Sequence, residues 1–117
     1  MTTTQQQAKP QAKLLHVQTN TIIDLPANLS VIHIGKPNET IPPDIDVSDF
    51  PNAHVVSRVH AKISVEDERF FSIEDLGSAN GTYLNRTLLA PSHRRQLKFR
   101  DRIDFGKENN VTFIFSY

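Results

Sequence analysis

An all-β sandwich or barrel is the fold class this 117-residue sequence predicts, and three observations predict it. From Leu14 onward, short apolar runs are separated by turn residues at close spacing. No segment sustains the 3.6-residue period of an amphipathic helix over three turns. Alternate residues also share a face: Ala61, Ile63 and Val65 against Lys62 and Ser64. Likewise the odd-numbered Leu97, Phe99, Ile103 and Phe105 stand against the even-numbered Gln96, Lys98, Arg102 and Asp104.

Residues 1–12, MTTTQQQAKPQA, are rich in Thr, Gln and Ala and have no apolar face. They read as a disordered tail or linker stub, which leaves 13–117 as the domain. Strands are expected over 14–18 and 21–25, apolar runs flanking Thr19-Asn20, and over 31–34, which stops at Gly35. The connection from Gly35 to Arg58 carries four prolines, in Lys36-Pro37-Asn38, Ile41-Pro42-Pro43-Asp44 and Phe50-Pro51-Asn52. These stiffen it and limit regular pairing to a short run at 45–47. Long stiff loops on a rigid sandwich are where binding sites tend to lie. Further strands are expected over 61–65, 70–74, 82–84, 87–88, 96–99, 102–105 and 111–116, broken by Asp67, Gly77, Asn85, Pro91, Asp101 and Gly106.

Charge and composition narrow the function. Thirteen basic and 13 acidic side chains give a net charge of zero, which argues against a nucleic-acid binder. His93, Arg94, Arg95, Lys98, Arg100 and Arg102 form a basic stretch that reads as the wet face of a strand pair. The absence of cysteine excludes disulfides and thiolate metal sites and is compatible with an intracellular, cytoplasmic location. No apolar run exceeds three residues, too short to span a membrane. The first twelve residues lack the apolar stretch of a signal peptide. His16, His33, His54, His60 and His93 show no tight metal-ligand spacing, so neither metal nor cofactor is expected.

Three short motifs carry chemistry. Ile34-Gly35-Lys36 ends a strand with a sharp turn and a cation. Ser57-Arg58-Val59-His60 places a hydroxyl and an imidazole three apart; with no nucleophile elbow, this reads as a loop tie rather than catalysis. Asp75-Leu76-Gly77-Ser78-Ala79-Asn80-Gly81-Thr82 contains Asn-Gly, which alone reads as a hairpin turn. An asparagine at a loop tip also offers a donor and an acceptor to a peptide backbone. Gly35 precedes Ser57 by 22 residues and Ser57 precedes Asn80 by 23, so the motifs fall on three loops of one sandwich.

This conjunction resembles the forkhead-associated (FHA) domain, whose motifs are Gly-Arg, Ser-x-x-His and a Ser-x-Asn-Gly-Thr run. Arg58, Ala61, the Asp75–Ser78 lead-in and the later Asp101-Arg102-Ile103 and Phe105-Gly106 extend the likeness. The resemblance implies an eleven-stranded β-sandwich of two sheets with the three motif loops at one end. It implies a monomeric, non-enzymatic protein–protein interaction module that binds a phosphothreonine segment in Ser/Thr kinase signalling. The alternative is an FHA sandwich acting as a phosphate-independent interaction or dimerisation module. By resemblance, Ser57 donates its hydroxyl to the phosphate, Lys36 and Arg58 supply positive charge, and Asn80 grips the peptide main chain. Gly35, His60, Gly81 and Thr82 hold the loops. Two residues depart from the family: Lys36 stands where it has arginine, replacing a fork with a point charge, and Ala79 stands where many members carry a hydroxyl.

Overall fold

The computed structural model describes residues 11–67, 69–108 and 110–117. Its strands are β1 (Lys13–His16), β2 (Thr21–Asp24), β3 (Val31–Gly35), β4 (Ile45–Asp46), β5 (Val59–Glu66) and β6 (Phe70–Asp75), followed by β7 (Thr82–Leu84), β8 (Thr87–Leu88), β9 (Arg95–Leu97), β10 (Arg102–Phe105) and β11 (Val111–Ser116). A 3-10 turn, Ala53–Val55, lies between β4 and β5. The strands form a six-stranded sheet, β2-β1-β11-β10-β7-β8, and a five-stranded sheet, β4-β3-β5-β6-β9. The two-sheet, eleven-stranded sandwich expected from the resemblance is the fold this chain adopts.

Alternation builds the core. Leu14, Ile103, Phe105, Phe113 and Phe115 point inward from the six-stranded sheet and meet Ile32, Ile34, Ile63 and Ile73 from the other. Each fully buried side chain of this size contributes about 1.5–3 kcal/mol relative to exposure. Ala61 and Ile63 are buried and Val65 packs against the same core, as their shared face requires.

The odd-numbered set around β9 and β10 needs correction. Leu97, Ile103 and Phe105 are buried, but Phe99 is 52% exposed and its ring packs edge-on against Tyr117. The strand ends at Leu97 because the chain turns at Lys98: its N–H donates to the Asp101 carboxylate, and Arg100 takes a φ of 74°. Asp104 departs in the opposite sense: its carboxylate is covered by a two-point contact from Arg102 (2.7 and 3.2 Å) and by the Thr112 hydroxyl (2.6 Å). Most of the tail expected over 1–12 lies outside the described residues, but Ala12 is 5% exposed and its carbonyl accepts the Leu25 N–H. The side chain of Gln11 reaches the Leu25 carbonyl at 3.1 Å. In the basic stretch, Arg94 faces Glu66 at 3.3 Å and Glu74 at 3.8 Å, and Arg102 is held by Asp104, so the charges there are mixed rather than one-signed.

Topology gathers the motif loops. Gly35 at the end of β3 pairs with Val59 at the start of β5, and Ala61 pairs with Asp75 at the end of β6. In the other sheet, Phe105 at the end of β10 pairs with Thr82 at the start of β7. Five strand ends therefore converge at one end of the sandwich.

Candidate functional site

A β-bulge sets the geometry. Ile34 pairs with Ala61 but Gly35 pairs with Val59, so His60 is the extra residue of β5. A bulge turns a side chain that the pleat would otherwise direct elsewhere. The His60 ring is fully buried and stacks on Phe105 of the other sheet, with centroids 4.2 Å apart. Gly35 allows the close approach this needs: a Cβ there would stand 2.0 Å from the Arg58 carbonyl oxygen. The Lys36 N–H donates to that same oxygen at 3.0 Å.

Two hydrogen bonds define the state of His60. Its Nδ1 accepts the Ser57 N–H at 3.0 Å and its Nε2 donates to the Gly81 carbonyl at 3.1 Å, a pattern that only the neutral Nε2–H imidazole satisfies. Burial lowers its pKa; the Gly81 contact and Asp75 oppose this, the Lys36 charge adds to it, and the net shift is downward.

Ser57 is oriented from the other side. Its Oγ accepts the Ala79 N–H at 2.9 Å, which leaves the hydroxyl proton available to an acceptor outside the protein. Lys36 Nζ donates to the Ala53 carbonyl at 3.0 Å, and Asn80 Nδ2 donates to the Val55 carbonyl at 2.9 Å. Both ends of the 3-10 turn are thus held by side chains singled out in the sequence. An ammonium has three protons and an amide two, so each retains a donor. Arg58 is exposed, and its guanidinium has no hydrogen-bond partner among the described residues. An open cleft lined by segments 36–40, 54–59 and 79–80 collects these groups.

The expected scaffold residues Gly81 and Thr82 are held by Asp75, the first residue of their own motif, whose role its spacing does not reveal. The Asp75 carboxylate, 2% exposed, accepts the Gly77 and Ser78 N–H groups and the hydroxyls of Ser78 (2.6 Å) and Thr82 (2.7 Å). Burial raises its pKa, but these four hydrogen bonds outweigh burial and the net shift is downward. The Ser78 Oγ in turn accepts the Gly81 N–H, and the Gly81 carbonyl also accepts the Gly106 N–H. Asn80-Gly81 is therefore not a hairpin turn, because β6 and β7 belong to different sheets and the loop crosses between them. The two-residue hairpin is Asn85-Arg86, both at positive φ (49° and 71°), joining β7 to β8. Asn38, part of the Lys36-Pro37-Asn38 run, reads in the sequence only as a turn signal after proline. Among the described residues no group of three or more His, Asp or Glu side chains could hold a metal ion.

Residues 32–106 match the FHA domain family. The chain is 55% identical over 104 residues to Protein FraH of a Nostoc species, an alignment covering 89% of this chain and 36% of that one. It spans about a third of the length of the curated relatives it matches. Its fold is similar to the solution structure of the FHA domain of an Arabidopsis thaliana hypothetical protein (TM-score 0.74, 23% identity, 98% of this chain and 94% of that one). It is also similar to Mycobacterium tuberculosis EmbR in complex with a low-affinity phosphopeptide (TM-score 0.70, 23% identity, 91% of this chain and 24% of that one).

Proposed function

Since the chain belongs to the FHA family of non-enzymatic interaction modules, we propose that it binds a phosphothreonine-containing segment of a partner protein in a Ser/Thr kinase pathway. The observation that carries this reading is the Ser57 hydroxyl. Its lone pair is engaged by the Ala79 N–H, so its proton is free to be donated beside the cations Lys36 and Arg58. A phosphothreonine brings about −1.5 to −2 charge and three acceptor oxygens. Ser57, Lys36 and Arg58 supply donors of matching sign, each charge-assisted bond being worth about 1.5–3 kcal/mol. Asn80 has donor capacity left for a peptide carbonyl beside the phosphate. Ala79 adds a backbone N–H but no hydroxyl, and that N–H is already used to orient Ser57. The complex of EmbR with a phosphopeptide supports the reading by analogy of fold. We place the domain in the cytoplasm, acting as a monomer.

A titration with matched phosphorylated and unphosphorylated threonine peptides tests this. The phosphorylated peptide should bind at least tenfold more tightly, and equal affinities contradict the reading. One observation favours the alternative, a phosphate-independent sheet-face contact. Ile22 is 64% exposed and pairs through Leu15 to Ile114, placing three apolar residues in a row across β2, β1 and β11. Binding through that row would be indifferent to the phosphate.

A further inference from the structure

We infer that Asn38 is the positioning residue of the cleft: it clamps the 36–41 turn onto the Arg58 carbonyl and so fixes Lys36 for phosphate. The inference rests on the phosphothreonine reading and deepens it. A lysine at the place of the family's arginine has a flexible stem and a strongly hydrated head, so it needs external restraint to act as a preorganised ligand. The structure supplies that restraint at three points. The Lys36 N–H is bound by the Arg58 carbonyl (3.0 Å), its carbonyl by Asn38 Nδ2 (2.9 Å), and its ammonium donates to the Ala53 carbonyl (3.0 Å).

Asn38 serves this arrangement with both ends of its amide. Its Oδ1 accepts the Thr40 and Ile41 N–H groups at 2.9 and 2.7 Å, which closes the turn on itself. Its Nδ2 donates to the carbonyls of Lys36 and Ile41, both at 2.9 Å, and reaches the Arg58 carbonyl at 3.2 Å. Two protons thus serve three carbonyls, one of them shared. The Arg58 carbonyl is the junction, because it also takes the Lys36 N–H and faces Gly35. Asn38 therefore joins the loop bearing Lys36 to the start of β5, directly after Ser57 and Arg58. Only an amide can do both jobs: aspartate keeps the two acceptor bonds and loses all three donor contacts, and alanine loses everything.

The test is a double-mutant cycle on the whole chain, read with one phosphothreonine peptide at two ionic strengths. Asn38→Ala and Asn38→Asp should each weaken binding about tenfold, as should Lys36→Ala, with little change in melting temperature. In the Lys36→Ala background, Asn38→Ala should add less than about twofold, because a residue acting through Lys36 has nothing left to position. The charge of aspartate repels phosphate in either background and more strongly at low salt, which separates that effect from positioning. Should Asn38→Ala fail to fold, Asn38→Asp carries the cycle, since it retains the turn. Hydrogen exchange at the Lys36 amide should also speed up in both variants without ligand. Wild-type affinity in Asn38→Ala, losses that multiply to about a hundredfold in the double mutant, or unchanged exchange at Lys36 each overturns the inference alone. A wild type that binds no phosphothreonine peptide refutes the reading of the cleft and this inference with it.

Discussion

At Ser57 a single hydrogen bond decides where the hydroxyl proton goes, because the Ala79 N–H occupies an acceptor position on Oγ. Ser57→Ala should weaken phosphopeptide binding by about 1.5–3 kcal/mol, ten- to a hundredfold, with little change in stability, since the exposed Ala79 N–H can bind water instead. Isothermal titration checks this, and an unchanged affinity removes Ser57 from the site. His60 has the opposite character. It contacts two of the three motif loops, at Ser57 and Gly81, and the Phe105 ring from a fully buried position. His60→Ala should therefore cost about 2–4 kcal/mol of stability by losing two hydrogen bonds and a packed ring, measured by urea unfolding. Asp75→Asn should cost about 2–3 kcal/mol, because an amide nitrogen would face donors where a carboxylate now accepts four bonds. Ser57, His60 and Asn80 were legible in the sequence because their spacing forms a pattern. The role of Asp75 was not, although it opens the third motif, because an aspartate two residues before a glycine looks like any turn residue until its burial is known.

Among the elements, the bulge between β3 and β5 does most to shape the cleft. Gly35→Ala would drive a methyl group into the Arg58 carbonyl, 2.0 Å away, where the obstacle is backbone and cannot rotate aside. We expect about 2–3 kcal/mol of destabilisation and loss of phosphopeptide binding together, read by thermal melting and titration on the same variant. The strands themselves were readable because short apolar runs between turn residues have few other solutions. What local signals could not supply was sheet membership. Asn80-Gly81 has the chemistry of a hairpin, yet the loop passes between sheets, while the less conspicuous Asn85-Arg86 makes the tight turn. The exposure of Phe99 and the covering of Asp104 arise similarly. The Lys98–Asp101 turn ends one strand early, and the Arg102 and Thr112 side chains supply Asp104 with partners that alternation does not reveal.

Over the whole molecule, buried ionisable groups couple the cleft to the stability of the sandwich. Burial lowers the pKa of His60 and of His16, whose ring stacks on Phe50 of the proline-rich connection at 3.9 Å. A folded pKa below the unfolded one means that the unfolded chain takes the proton first. The stability these histidines lend is complete above about pH 6.5 and falls as pH drops from there toward their folded values. Asp75, also lowered, contributes stability above the ordinary carboxyl value of 3.8 that is lost as pH falls through its folded pKa. Melting temperature should therefore decline in two stages on acidification. His16→Phe should shrink the first stage, and a flat profile between pH 7 and 5 contradicts the assignment. The two-sheet architecture and the clustering of three motifs at one end could be anticipated from the family resemblance that the motifs carry, but the turn held between Lys36 and Asn80 could not, because its contacts run to backbone carbonyls. The central claim is that this end of the sandwich, and not its sheet face, recognises phosphothreonine. Backbone amide NMR of the labelled chain, titrated with a phosphothreonine peptide and its unphosphorylated twin, tests it most directly. The account predicts shifts confined to segments 36–41, 53–60 and 76–82 with the phosphopeptide and none with the twin; equal shifts with both peptides, or shifts centred on Leu15, Ile22 and Ile114, contradict it.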